Sequence, residues 1–475
     1  MGANSVNTSS ILSRMTKNGE RLQNLSVAEM LFAIGIFLLP YDAFPVMPST
    51  YRPISIIPLI LSLLFLVAGV GGRRVGVLGK RQLIILAFYA LVLVINAFRA
   101  MLGDLAVDGY IDTMLTLTVG VLAYFSFSGF LTWKISKTSL NDTIDWLFRA
   151  LSAAYIIPLC VGFVELLSLA GILPGGIKDA LHGLFGGNQP NRLTLTSYEA
   201  SWASIHLLIA AVSNFCLYVR GKRFFHIVFA ALAAALFIYS SSMQGVLIIS
   251  CASALYAIWY SYRKRRLIIL IKWVVIIVAL VSLVLVSFVL FFTIAGNDAY
   301  YATRLLNFTS VDRLIHTDGS SFVRLVFPFI CLQMFATNPL FGVGAGAFAE
   351  ALPAFIVEDY SWAIQFGEVA RYLNGTLTPS AVSLYTRVIG ELGLIGALPF
   401  FSFLISSLRC VGKVASCDIP RGYHAVFLCM VLLCSQLQFA SFVYLPFWLV
   451  VGFLDAAGRS DPQRESRSNV VRTPQ

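Results

Sequence analysis

The chain has 475 residues, 58% of them hydrophobic and 12% charged, with 34 Lys and Arg against 23 Asp and Glu. Soluble domains carry about 25% charged residues. The composition therefore excludes a cytosolic enzyme, a disordered regulator and a disulfide scaffold, and points to a protein solvated largely by lipid. The formal charge of +11 is no signal for nucleic acid, because the basic residues stand in short clusters between long apolar runs.

About 20 apolar residues of helix cross a hydrocarbon core. Runs of that kind occupy 27–47, 53–70, 82–98, 111–131, 148–170, 199–217, 224–240, 244–260, 267–293, 381–407, 423–437 and 440–456. They predict an all-α, polytopic integral membrane protein of about twelve transmembrane helices, because an unpaired backbone group in lipid costs several kcal/mol and no alternating barrel pattern appears. The first 25 residues are polar, and the first run ends without a small-residue cleavage site. That run is expected to stay as an anchor.

With the N-terminus inside and twelve crossings, the segments on the inner side, together with Arg149 at its helix end, carry 24 of the 34 Lys and Arg, including the clusters at 73–81, 220–223 and 263–266. The expected division is a cytoplasmic tail (1–26), helices one to nine (27–293), a large external loop (294–380), helices ten to twelve (381–456) and a cytoplasmic tail (457–475). Loops beyond about 12–15 residues are usually functional or disordered. Residues 294–380 are not low-complexity, and a helix near 321–336 is signalled by Asp318-Gly319-Ser320-Ser321 as its cap. This loop is expected to fold as a cap over the outer face. Of nine outer basic residues, eight are Arg, whose planar fork grips phosphate or carboxylate bidentately.

Four stretches could carry chemistry. In QPNRLTLTSYEASWASIH (189–206), Arg192 precedes a helix on which Glu199, Trp202 and His206 share a face. In SSSMQG (240–245), Ser241 and Gln244 stand at an outer turn. In the loop, Arg324 opens a helix that Asn338-Pro339 ends, and Gly342, Gly344 and Gly346 then permit close backbone approach. In TPSAVSLYTRVIGELGLIG (378–396), Arg387 and Glu391 are four apart and can pair. Each has a bland alternative. Ser packs helices, glycines make turns, and the loop arginines can pair with loop carboxylates. No HExxH, P-loop or GxSxG is present.

An Arg…Glu-x-Ser loop before a helix, a Ser-rich turn, a long external loop, then NPLFGVGAGAF (338–348) and ELGLIG (391–396) together resemble the O-antigen ligase and polymerase superfamily of bacterial envelope glycan assembly, the Wzy-like proteins. The resemblance covers roughly 185–400. It implies a metal-independent, cofactor-free glycosyltransferase of the bacterial inner membrane that acts at the periplasmic face on undecaprenyl pyrophosphate-linked glycans. It also implies a chain-length regulator and a flippase as partners. Ligases of the group typically carry a His where this chain has Thr378-Pro379-Ser380, and many members carry Arg where Gln244 stands. A polysaccharide polymerase is therefore the expected role, with a ligase as first alternative and a flippase or transporter as second. The expected site comprises Arg192, Arg324 and Arg387 for the pyrophosphate, Glu199 as base with His206 as its rival, and Ser241, Gln244, Arg313, Arg371 and Glu391 against the substrate.

Overall fold

The computed structural model describes residues 26–43, 53–70, 79–103, 106–189, 191–240, 242–265, 315–417 and 421–460. The expected span 267–293, Arg313 and Ser241 lie outside them. Every other expected span holds a helix. These are α1 (Ser26–Phe37), α2 (Ile56–Val70), α3 (Lys80–Leu102), α4 (Val107–Lys137), α5 (Leu140–Ala154) with α6 (Ile156–Leu169), α8 (Ala200–Gly221), α9 (Phe224–Tyr239) and α10 (Met243–Lys264). In the C-terminal part they are α14 (Leu384–Leu408), α16 (Arg421–Ser435) and α17 (Leu445–Gly458), with a short α15 (Val411–Ala415) between the first two. A short helix, α7 (Gly175–Phe185), lies between α6 and α8. Among the described residues the protein is all-helical and polytopic, with 7 helices long and apolar enough to cross a membrane beside several shorter apolar ones.

The fifth span differs from expectation in extent. The helix begins at Leu140 under a Ser139 cap that accepts from Asp142 N at 3.0 Å, and it is interrupted only at Tyr155. Asp142, Asp145 and Arg149 dilute the apolar signal there. Asp145 is nevertheless buried, because Arg220 and Arg421 pair with it. A buried carboxylate is tolerable only when paired and hydrogen-bonded.

Charged groups gather in two layers at opposite helix ends. In one layer Asp145 meets Arg220 and Arg421, Glu29 meets Lys134, and Asp455 accepts from Arg81 and Arg459, each at 2.8 Å. In the other, reached by the far ends of the same helices, Arg99 donates to the Gly342 carbonyl and Arg387 donates to Thr113 Oγ1 at 2.6 Å. The chain crosses between them as the hydropathy pattern requires.

Residues 315–382 build a second core apart from that of the helix bundle. It unites α11 (Gly319–Thr337), α12 (Phe348–Asp359), a 3-10 turn at Ser361–Gln365 and α13 (Gly367–Leu373). Asp318 caps α11 by accepting from Ser321 N at 3.2 Å, as its sequence signal implies. Phe322 packs edge-on against Tyr360 and Trp362, and Phe327 packs with tilted rings against Phe348 and Tyr372. By length and composition α11 could also cross a membrane. Its tip at Gly319, however, packs on Phe366 of this second core.

Candidate active site

The glycine-rich turn and the ELGLIG motif are one structural unit. Helix α14 breaks at Gly393 (φ 60°, ψ −164°). The freed amides of Leu394 and Ile395 donate to Pro339 O and Leu340 O at 2.8 and 3.1 Å, while Val343 N and Gly344 N donate to Gly390 O and Glu391 O at 3.0 and 2.8 Å. A Cβ on Gly393 would meet Gly342 N at 2.5 Å, and one on Gly390 would meet Cys331 O at 2.5 Å. Glycine is required at these positions because backbones touch. The break is thus closed by the turn; its backbone groups do not line an open channel of the kind transporters use.

Glu391 and Arg387 stabilise this unit. Glu391 is buried, and its Oε2 accepts from Gly346 N at 2.9 Å and from Arg387 Nε at 3.0 Å. Arg387 also donates to Ala440 O at 3.1 Å and Thr113 Oγ1 at 2.6 Å and lies over the Phe442 ring. Every nitrogen of its guanidinium therefore meets a protein acceptor. Gln244 is likewise held in packing, its Nε2 donating to Gln438 O at 2.7 Å. Residues 436–444 between α16 and α17 are the common partner. They receive Gln244, Arg387 and Leu384 N, and place Phe439 against Trp202.

Other expected site residues meet elsewhere. Glu199 stands at the start of α8, half-buried, and accepts from Ser201 Oγ at 2.9 Å. Arg192, seven residues earlier, donates to Ser240 O at 3.3 Å and so reaches the Ser-rich turn between α9 and α10. Across from them stands the second core. Tyr372 donates to Glu368 Oε1 at 2.8 Å. Burial pushes its phenol above the usual range, the charges of Glu368 and Glu199 push it the same way, and Arg324 opposes them. One phenol thus lies in the fields of Glu199 from the bundle and of Arg324 and Glu368 from the cap. Arg324 is half-buried and donates to Ser320 Oγ; among the described residues it has no carboxylate in ion-pair range. Arg371 is exposed and donates to Gly367 O.

His206 does not share this space. It is 1% exposed, with Nε2 2.9 Å from Asp42 Oδ2 and Nδ1 2.8 Å from the Tyr155 hydroxyl. Among the described residues no three His, Cys, Asp or Glu side chains are grouped to hold a metal ion. Asp42, Glu165 and Asp455 are among the buried carboxylates that motif reading passes over. The available signal was a lone ionisable residue in an apolar run, which is costly in a span and therefore usually functional or paired.

Residues 227–401 match the family model described as O-antigen ligase. The chain carries an O-antigen ligase family domain. Members of that family are membrane enzymes that transfer glycans. The matched stretch includes the glycine-rich turn, the broken helix, Arg324, Arg371, Arg387 and Glu391; Arg192, Glu199 and His206 precede it. No curated protein matches the chain.

Proposed function

We propose that this chain is a polysaccharide polymerase that joins undecaprenyl pyrophosphate-linked repeat units at the periplasmic face of the bacterial inner membrane. The proposal is supported by the family match over residues 227–401, together with Arg192 at the Ser-rich turn and the half-buried Glu199 and Arg324, whose charges both act on Tyr372. The layer holding these residues is assigned to the periplasm by the excess of Lys and Arg in the opposite segments. In this reading the chain crosses about twelve times and residues 315–382 form the cap.

The chemistry follows from the leaving group. Glu199 takes the proton of an acceptor sugar hydroxyl, and that oxygen bonds to the donor's anomeric carbon. The bond from that carbon to the pyrophosphate oxygen breaks, and undecaprenyl pyrophosphate departs with the electron pair. Arg192 and Arg324 stabilise the charge that develops on it, best in a site that excludes water. Tyr372 stays protonated, its hydroxyl donating to Glu368. Arg387 and Glu391 act one step back, holding the turn on which the cap is mounted.

A ligase is the second reading, favoured by the description of the matched family model. Deleting the gene separates the two. Loss of a polymerase leaves single repeat units on the carrier lipid. Loss of a ligase leaves long polymer on it, which would overturn the polymerase assignment and leave the glycan-transfer site standing.

A further inference from the structure

Glu165 is fully buried in α6, within the run FVELLSL. Its Oε2 accepts both Thr194 N and Leu195 N at 3.0 Å. Its Oε1 accepts from Thr194 Oγ1 at 3.2 Å and lies 3.0 Å from His182 Nε2 of α7, which is itself 3.1 Å from Thr194 Oγ1. Lys178 of α7, also buried, lies within the field of the same carboxylate.

Two successive amides can reach one oxygen only where the chain turns sharply. Leu195 does so at φ 56°, in the left-handed region that a bulky residue seldom adopts. The Leu195 side chain is 2% exposed and is seated on Gly162, where a Cβ would lie 3.0 Å from its Cγ. One face of α6 thus holds both the backbone and the side chain of the strained turn. The rest of the loop is closed by Asn188 N to Tyr198 O at 3.0 Å, Ala200 N to Gln189 Oε1 at 3.2 Å, and Thr196 Oγ1 to Pro40 O at 2.7 Å. Arg192 projects from this loop two residues before Thr194. A buried carboxylate is a costly way to close a turn. Its place is explained if the turn must present an arginine at one fixed position.

We infer that Glu165, with His182 and Thr194 around it, is the positioning residue that aims Arg192 at the donor pyrophosphate. This rests on the functional reading above. Glu165 never touches substrate. It fixes the loop so that the guanidinium need not be ordered during the reaction, and misplacing a catalytic group by about 1 Å costs about a hundredfold.

The test is a double-mutant cycle on the full chain. It reads the initial rate of transfer from a synthetic undecaprenyl pyrophosphate-linked repeat unit against its concentration, with the membrane level of each variant measured alongside. Arg192→Ala is expected to lower kcat/KM about 100- to 1,000-fold, and Glu165→Gln about 10- to 100-fold. In the Arg192→Ala background Glu165→Gln should then add less than about twofold. A merely structural residue would multiply with Arg192→Ala, because fewer folded molecules lower either background equally. Such multiplication, or full activity of Glu165→Gln while Arg192→Ala is impaired, overturns the inference and leaves the functional reading standing. Full activity of Arg192→Ala overturns the functional reading itself. If Glu165→Gln fails to accumulate, Thr194→Val runs the same cycle. It removes only the hydroxyl contacts to Glu165 and His182; non-additivity with Arg192→Ala supports the inference and multiplication refutes it.

Discussion

Replacing Arg324 by alanine separates a chemical role from a structural one, because its two costs differ in size. In the fold Arg324 is half-buried and makes one side-chain hydrogen bond, to Ser320 Oγ of its own helix. Losing such a bond costs about 0.5–1.5 kcal/mol of stability. If its guanidinium instead meets charge developing on the leaving pyrophosphate, the loss in rate is about 2.7–4 kcal/mol, or roughly 100- to 1,000-fold. Arg324→Ala should therefore insert at normal level and make little polymer. Arg324→Lys should recover part of the activity, having the charge without the fork. Arg387→Ala is the contrast. It strands buried Glu391 and removes bonds to Thr113 and Ala440, and breaking a buried pair from one side costs about 3–5 kcal/mol. That variant should be lost from the membrane. The assay is polymer length by gel beside protein level by immunoblot. Full-length polymer from Arg324→Ala at normal level would refute the charge-stabilising role; normal accumulation of Arg387→Ala would refute the structural one.

Three further outcomes are expected. Gly346→Ala should fail to accumulate, because at φ 80° its Cβ would be driven into the Gly109 carbonyl; a normal immunoblot signal would contradict this. Glu199→Gln should abolish transfer at unchanged protein level, whereas His206→Gln, sealed between Asp42 and Tyr155, should lower protein level and transfer in proportion. Unequal loss for His206→Gln would return it to the chemistry. Reporter fusions should read periplasmic at Gly319 and cytoplasmic at Arg265, and a cytoplasmic signal at Gly319 would sink the topology and the mechanism together.

What could be read from the sequence, and what could not, divides by range. The helices were legible because lipid imposes one requirement on every residue of a span. The α11 cap and the Arg387–Glu391 pair were legible because their partners lie three or four residues away. The three glycines were legible as close-approach positions, but Gly390 and Glu391, which they meet, lie more than forty residues onward. The start of α5 was hidden because Asp145 looks soluble until Arg220 and Arg421 are placed beside it. Residues 436–444, at the junction of the last two expected spans, carried no legible role because a segment that receives groups from several helices has no periodicity of its own. Asp42 and Glu165 stood alone in apolar runs, and only the fold shows that each is buried against a histidine.

The arginines show why residue type alone does not assign a site. Arg99, Arg192, Arg324 and Arg387 all carry the same fork. Arg387 has an acceptor for each of its nitrogens, and Arg99 holds the Gly342 carbonyl. Arg387 commits three of its five N–H groups, and moving it to meet a new anion would bare buried acceptors at about 1–3 kcal/mol for each one. Among the described residues Arg324 has only a serine hydroxyl to give up, and the hydroxyl can rotate to other partners. For Arg324 the fork is therefore available at small cost, and it lies in the field of the phenol that also senses Glu199. On the proposed function, this distinction puts chemistry where the cap meets the start of α8, and architecture where α14 meets the glycine-rich turn.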